Sequence, residues 1–156
     1  MRWCLVGFFS SCLSVAAAAE QQVYVVGKFQ LQGTSYAQAA FLSSKKMKDY
    51  AACEEELEKG RRGQWDKVYH VLRPVRGASY TADYRCAMSD YQFSHWRGTG
   101  GRMRYVYLVD VTDNQLVATE YSSLGKCAKA LREAKAKLSS FAFCGQSSQQ
   151  VLTAKK

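Results

Sequence analysis

The same order of apolar alternation, turn and helical periodicity runs twice along this chain. In the second half, residues 103–111 (MRYVYLVDV) and 116–121 (LVATEY) are rich in β-branched and aromatic residues and flank the turn formers Thr112, Asp113, Asn114 and Gln115, so they predict a hairpin. Residues 122–138 follow, with Leu124, Cys127, Leu131, Ala134 and Leu138 stepping by three and four, which predicts an amphipathic helix capped by Ser122 or Ser123. A short apolar run, residues 141–144 (FAFC), reads as a returning strand ending at Gly145. The first half overlays this pattern: strand 23–31 (VYVVGKFQL), a turn at Gln32, Gly33 and Thr34, strand 35–42 (SYAQAAFL), and a helix over 46–59. Residues 65–72 and 80–88 are strand-like downstream. Both helices carry Cys-x₃-Leu (Cys53/Leu57 and Cys127/Leu131), one turn apart on the same face. A competing reading makes residues 35–59 a single long helix, since Ser35 and Gln38 have the spacing of a capping box.

The fold class expected is α+β: two degenerate ββαβ-type repeats, antiparallel sheet or sheets, and one helix per repeat. The units run over 20–96 and 103–145, joined by a Gly/Arg-rich junction at 97–102 and followed by a polar tail at 146–156. Residues 1–19 precede them. Arg2, an apolar stretch and four alanines before Glu20 form the layout of a cleavable secretory signal, so the protein is expected to be exported, periplasmic or extracellular, with no stable membrane insertion once it is cleaved. An uncleaved anchor and lipidation at Cys12 are the competing readings of that segment.

Cleavage would remove Cys4 and Cys12 and leave Cys53, Cys86, Cys127 and Cys144, an even number in an oxidising compartment. Four cysteines allow three connectivities. The duplication selects one, each helix cysteine bonding to the strand after its own helix: Cys53–Cys86 and Cys127–Cys144. Close C-x₂₋₄-C spacing is missing, so neither a zinc site nor any cofactor is expected.

At 156 residues the chain is too short for a large α/β enzyme, and its 47% hydrophobic content separates it from a disordered polyelectrolyte. The formal charge of +9 is uneven. Nine of the 22 cations lie between Arg61 and Arg104, eight of them arginine, interleaved with Trp65, Tyr69, Tyr80, Tyr84, Tyr91, Phe93 and Trp96. Arginine with aromatics suits an anionic polymer or an acidic protein surface. The candidate binding residues are Arg73, Arg76, Arg85, Trp96, Arg97, Arg102 and Arg104. The plainer reading turns the aromatics inward and the arginines to solvent. Residues 96–104 (WRGTGGRMR) read either as an anion-binding loop or as a flexible junction; they do not match a nucleotide P-loop.

Catalytic constellations are sparse. His70 and His95 are the two histidines, and as general base and acid they would suit a small secreted ribonuclease. Nothing in the spacing brings them together, and no G-x-S-x-G motif is present. The sequence therefore favours a small disulfide-stabilised binding protein over the ribonuclease-like enzyme. A structural or immunity-type envelope protein with incidental charge is the third reading. On the first helix, Lys45, Lys46 and Lys48 at the N-terminal end and Glu54, Glu55, Glu56 and Glu58 further on would oppose the helix dipole, with Arg61 and Arg62 as candidate partners of the glutamates.

Overall fold

The computed structural model describes residues 21–65, 79–98 and 101–152. The expected leader (residues 1–19) with Cys12, the 66–72 part of a candidate strand, His70, Arg73 and Arg76 lie outside the described residues. Among the described residues the strands and α-helices follow in chain order as β1 (Gln22–Leu31), β2 (Ala37–Leu42), α1 (Tyr50–Arg61), β3 (Tyr80–Ser89), β4 (Gln92–Phe93), β5 (Tyr105–Thr112), β6 (Gln115–Tyr121), α2 (Leu124–Ala134), β7 (Phe143–Ser147) and β8 (Val151–Leu152), with a 3₁₀ turn, Lys135–Lys137, after α2. The class is α+β and mostly sheet.

The expected antiparallel sheet is a closed six-stranded barrel with the order β1-β2-β7-β5-β6-β3. In the first half β1 lies between β2 and β3; in the second β5 lies between β6 and β7, and all four pairings are antiparallel. Two parallel contacts close the ring, Gln38 with Gln146 and Met88 with Gln115. Each is a single bridge between strands from different halves, which is why a pattern of local hairpins did not disclose closure. Closure leaves no free sheet edge running the length of the barrel.

Alternation sorts the strand residues into two faces. Tyr24, Val26, Ala39, Phe41, Ala87, Tyr107, Val109, Ala118 and Phe143 fill the barrel, with Phe93 and Phe141 packed into the same core. A six-stranded barrel is narrow, so large aromatics must be matched by small residues. Gly145 is one of these: a Cβ there would come within 3.1 Å of the Ala39 Cβ and 2.8 Å of the Phe143 ring. The outward residues Val23, Val25, Phe29 and Leu42 pack under α1 with Leu57, and Val106 and Leu108 pack under α2 with Leu131 and Leu138.

A disulfide pins each helix, Cys53–Cys86 for α1 and Cys127–Cys144 for α2, both with Cα atoms 5.9 Å apart. Both pairs are those expected from the matched helix spacing. The helix starts follow from their caps. Asp49 accepts from the Ala52 N–H at 2.8 Å and Ser123 from the Lys126 N–H at 3.3 Å.

Several expectations need correction. Residues 35–59 are not one helix: Ala37–Leu42 is strand, bonded along β1, and the chain turns before Asp49 caps α1. Lys45, Lys46 and Lys48 therefore precede the helix and form no part of its first turn. Within α1, Glu56 pairs with Lys59 at 2.8 Å and Glu58 pairs with Arg61. Trp65 is not a strand residue. It folds back on α1, where its indole N–H donates to the Glu56 carbonyl at 3.0 Å, and a Cβ on Gly60 would collide with its ring. The returning strand runs Phe143–Ser147, past Gly145. The segment expected to be a polar tail completes β7, buries Gln149 and forms β8.

β4 and β8 pair with each other across one end of the barrel. They are held there by the two central strands. The Tyr24 hydroxyl donates to the Tyr91 carbonyl and accepts from the Phe93 N–H, both at 3.3 Å. The Tyr107 hydroxyl donates to the Gln149 carbonyl at 3.0 Å and accepts from the Val151 N–H at 3.2 Å. Ser89 and Ser147 are both buried, and each accepts from the N–H two residues on.

Candidate anion-binding groove

The crossing segments that cap this end also build a polar groove. After β4 the chain runs through Ser94 to Gly98, and after β7 through Ser148 to Gln150. These stretches are bonded side by side: the Ser94 N–H donates to the Gln150 carbonyl at 2.8 Å and the Gln150 N–H to the Ser94 hydroxyl at 2.9 Å. The side-chain amide of Gln149, 1% exposed, locks them to the barrel. It accepts from the Phe41 N–H at 2.7 Å and donates to the carbonyls of Phe41 and Ser94, both at 2.8 Å. One buried side chain thus satisfies main-chain groups that an adjacent strand would otherwise bond.

The approach to β5 adds the third wall. Gly98 adopts φ +65°, the left-handed region that glycine takes without a steric cost, and the Arg104 N–H donates to the Ser147 carbonyl at 3.1 Å. Gly101 meets the other segment closely: a Cβ there would lie 2.8 Å from the Ser148 Cβ. The resulting groove, about 660 Å³, is lined by Arg97, Arg102 and Arg104 with Ser94, Tyr105, Ser148 and Gln150.

Its electrostatics are one-sided. All three arginines are exposed, and among the described residues the ion pairs are those of Glu56, Glu58 and Glu133 on the two helices, so no described carboxylate pairs with them. The Ser148 hydroxyl is buried without a hydrogen-bond partner among the described residues. Guanidinium groups in this setting grip phosphate, sulfate or carboxylate oxygens through paired N–H donors.

The other candidates divide. Arg85 does not line this groove; it lies on β3 with its guanidinium 5.5 Å from the Phe141 ring centroid. Trp96 is buried in the cluster beneath α1 and reaches the neighbouring pocket, where exposed His95 also sits. Among the described residues the interleaved aromatics divide into buried (Trp65, Phe93, Trp96), half-buried (Tyr80, Tyr84) and exposed (Tyr91), while Arg61, Arg62, Arg85, Arg97, Arg102 and Arg104 are exposed. Among the described residues no group of three or more His, Cys, Asp and Glu side chains is placed to hold a metal. Among the described residues Tyr107 is the strongly perturbed titrating group. Burial pushes its hydroxyl up to about 12, the hydrogen bond from Val151 opposing the shift, and burial likewise raises Tyr24.

Ser148, Gln149 and Gln150 were missed as site residues because a run of serines and glutamines reads as tail. The signal that could have exposed them is Val151 and Leu152, an apolar pair after that run. Comparison with protein-family models, with curated proteins and with solved structures finds no match for this chain.

Proposed function

We propose that this is an exported, disulfide-stabilised binding protein that engages an anionic partner, an envelope polymer or an acidic protein surface, through Arg97, Arg102 and Arg104. The observation that carries the reading is the convergence of these three arginines on one groove without a carboxylate among the described residues to neutralise them. Export is supported by the leader-like residues 1–19 and by two disulfides in a small fold. Among the described residues no helix is long and apolar enough to cross a membrane.

The two ββαβ halves are read as a degenerate duplication. Its support is positional. Tyr24 and Tyr107 bond residues at the same remove from their disulfide-bonded strand cysteines, Tyr91/Phe93 after Cys86 and Gln149/Val151 after Cys144. The bridges Gln38–Gln146 and Met88–Gln115 exchange roles between the halves in the same way. On this reading the groove arose where the matched cap segments diverged, the second contributing Ser148–Gln150, the junction contributing Arg97 and Arg102, and the approach to β5 contributing Arg104.

The test is binding to inorganic polyphosphate at two salt concentrations. Affinity should fall steeply with salt, and replacing Arg97, Arg102 and Arg104 together by Gln should flatten that dependence. Absence of salt-dependent binding in the unaltered protein overturns the proposal.

A further inference from the structure

Beyond the Met88–Gln115 bridge, β6 runs on without a described strand at its outer side. The Met88 N–H donates to the Asn114 carbonyl at 2.7 Å, so alternate residues of the strand, Leu116, Ala118 and Glu120, turn their main-chain groups to the β3 side, away from β5. β3 stops at Ser89. The chain leaves β6 at Asp90, whose carboxylate accepts, as does the Gln115 side chain, from the Gln21 amide. The other seam shows how such groups are met in this fold. Phe41 lies three residues past Gln38 of the Gln38–Gln146 bridge, and Gln149, three past Gln146, gives its N–H an acceptor and its carbonyl a donor. The residues so placed at the Met88–Gln115 seam are Ala118 and Tyr91. Tyr91 has no amide and its side chain is exposed, and among the described residues no hydrogen bond from that side reaches the Ala118 N–H or carbonyl.

We propose that this free stretch of β6 takes up an extended, cationic peptide segment as an added strand. The peptide main chain donates to the carbonyls of Leu116 and Ala118 and accepts from the N–H groups of Ala118 and Glu120, as a strand continuing the line of β3 would. Tyr91, Val117 and Leu152 are the large apolar side chains left exposed among the described residues. Val117 belongs to the free stretch, Tyr91 follows Asp90, and Leu152 pairs with Gln92 next to Tyr91. Charge selects the occupant. Asp90 and Glu120, one towards each end of the stretch, are exposed and belong to no ion pair among the described residues. A second copy would bring the same carboxylates to the edge, so a segment bearing lysine or arginine fits where self-pairing does not. The edge shares no residue with the arginine groove, and its charge is opposite.

Amide spectra of the whole protein titrated with the peptide acetyl-KTVTVK-amide test this. Saturable shifts are expected at Val117, Ala118 and Glu120, with slowed hydrogen exchange of the Ala118 and Glu120 amides. N-methylation of the central peptide residues removes their donors and should weaken binding at least roughly tenfold. The acidic counterpart acetyl-ETVTVE-amide should bind at least roughly threefold more weakly. Ala118→Pro removes a donor that faces away from β5, so it should lose the peptide while polyphosphate binding is unchanged, and urea unfolding checks its fold. If that variant does not fold, the N-methylated peptide still decides. Absence of saturable binding, or equal binding of the N-methylated or the acidic peptide, overturns the inference. Protection of the Ala118 and Glu120 amides before peptide is added overturns it too. Protection independent of protein concentration means that the chain itself covers the edge, and protection that grows with concentration means that a second copy does.

Discussion

Tyr24 and Tyr107 occupy corresponding places on the central strands of the two barrel halves, and each phenol clamps one of the two segments that cross the same barrel end. The candidate groove is carried by those segments, so the clamps link barrel packing to the placement of the arginines. Tyr107→Phe keeps the ring in the core but leaves the Val151 N–H and the Gln149 carbonyl without their partner. A loss of about 1–2 kcal/mol is expected, read from urea unfolding. No measurable change would show that water replaces the hydroxyl without cost.

The same hydroxyl sets a pH dependence. Its folded-state value is raised to about 12 from an ordinary 10.0, so the neutral phenol is favoured in the folded protein. The associated stability is present in full below pH 10.0 and is lost as pH rises towards 12. The urea midpoint should therefore fall more steeply across this window in the unaltered protein than in Tyr107→Phe. Parallel curves for the two proteins contradict the assignment.

Gln149 is the second connector. Gln149→Ala removes the acceptor for the Phe41 N–H and the donor to two carbonyls, and should cost about 1–3 kcal/mol. Gln149→Glu keeps the acceptor but loses both donations and places a charge beside two carbonyl oxygens, so it should cost more than Ala. The order of the two unfolding midpoints checks this.

Each disulfide closes its own half. In the chain-entropy account, loss of Cys127–Cys144 costs about 3 kcal/mol and loss of Cys53–Cys86, which closes a longer loop, about 4 kcal/mol. Paired Cys→Ala variants followed by urea unfolding measure both. Alkylation of the denatured chain with and without reductant, read by mass, should show Cys53, Cys86, Cys127 and Cys144 accessible only after reduction. Reactive thiols at these positions without reductant contradict the pairing.

What could be read from the residues was local. The Asp113-Asn114 hairpin turn, with both residues at positive φ, follows from turn chemistry, and the disulfide pairs follow from matched helix spacing and the strands after each helix. Barrel closure was not legible because each seam rests on one bridge between distant strands, Gln38 with Gln146 and Met88 with Gln115. The start of α1 was misjudged because Lys46 and Lys48 suit a helix interior, whereas the Asp49 cap decides where it begins. Of the candidate site, Arg97, Arg102 and Arg104 share the groove. Arg85 does not, since the alternation of β3 directs it towards Phe141.

The central claim is that binding depends on where the arginines are and not on the overall charge. Two matched charge reversals test it most directly: Arg102→Glu with Arg104→Glu in the groove, and Lys126→Glu with Lys129→Glu on the exposed face of α2. Both pairs change net charge equally. In low-salt titrations with polyphosphate, the groove pair should lose affinity by roughly tenfold or more and the helix pair by less than about threefold, as expected when direct phosphate contacts dominate. Equal losses for the two pairs would contradict the account.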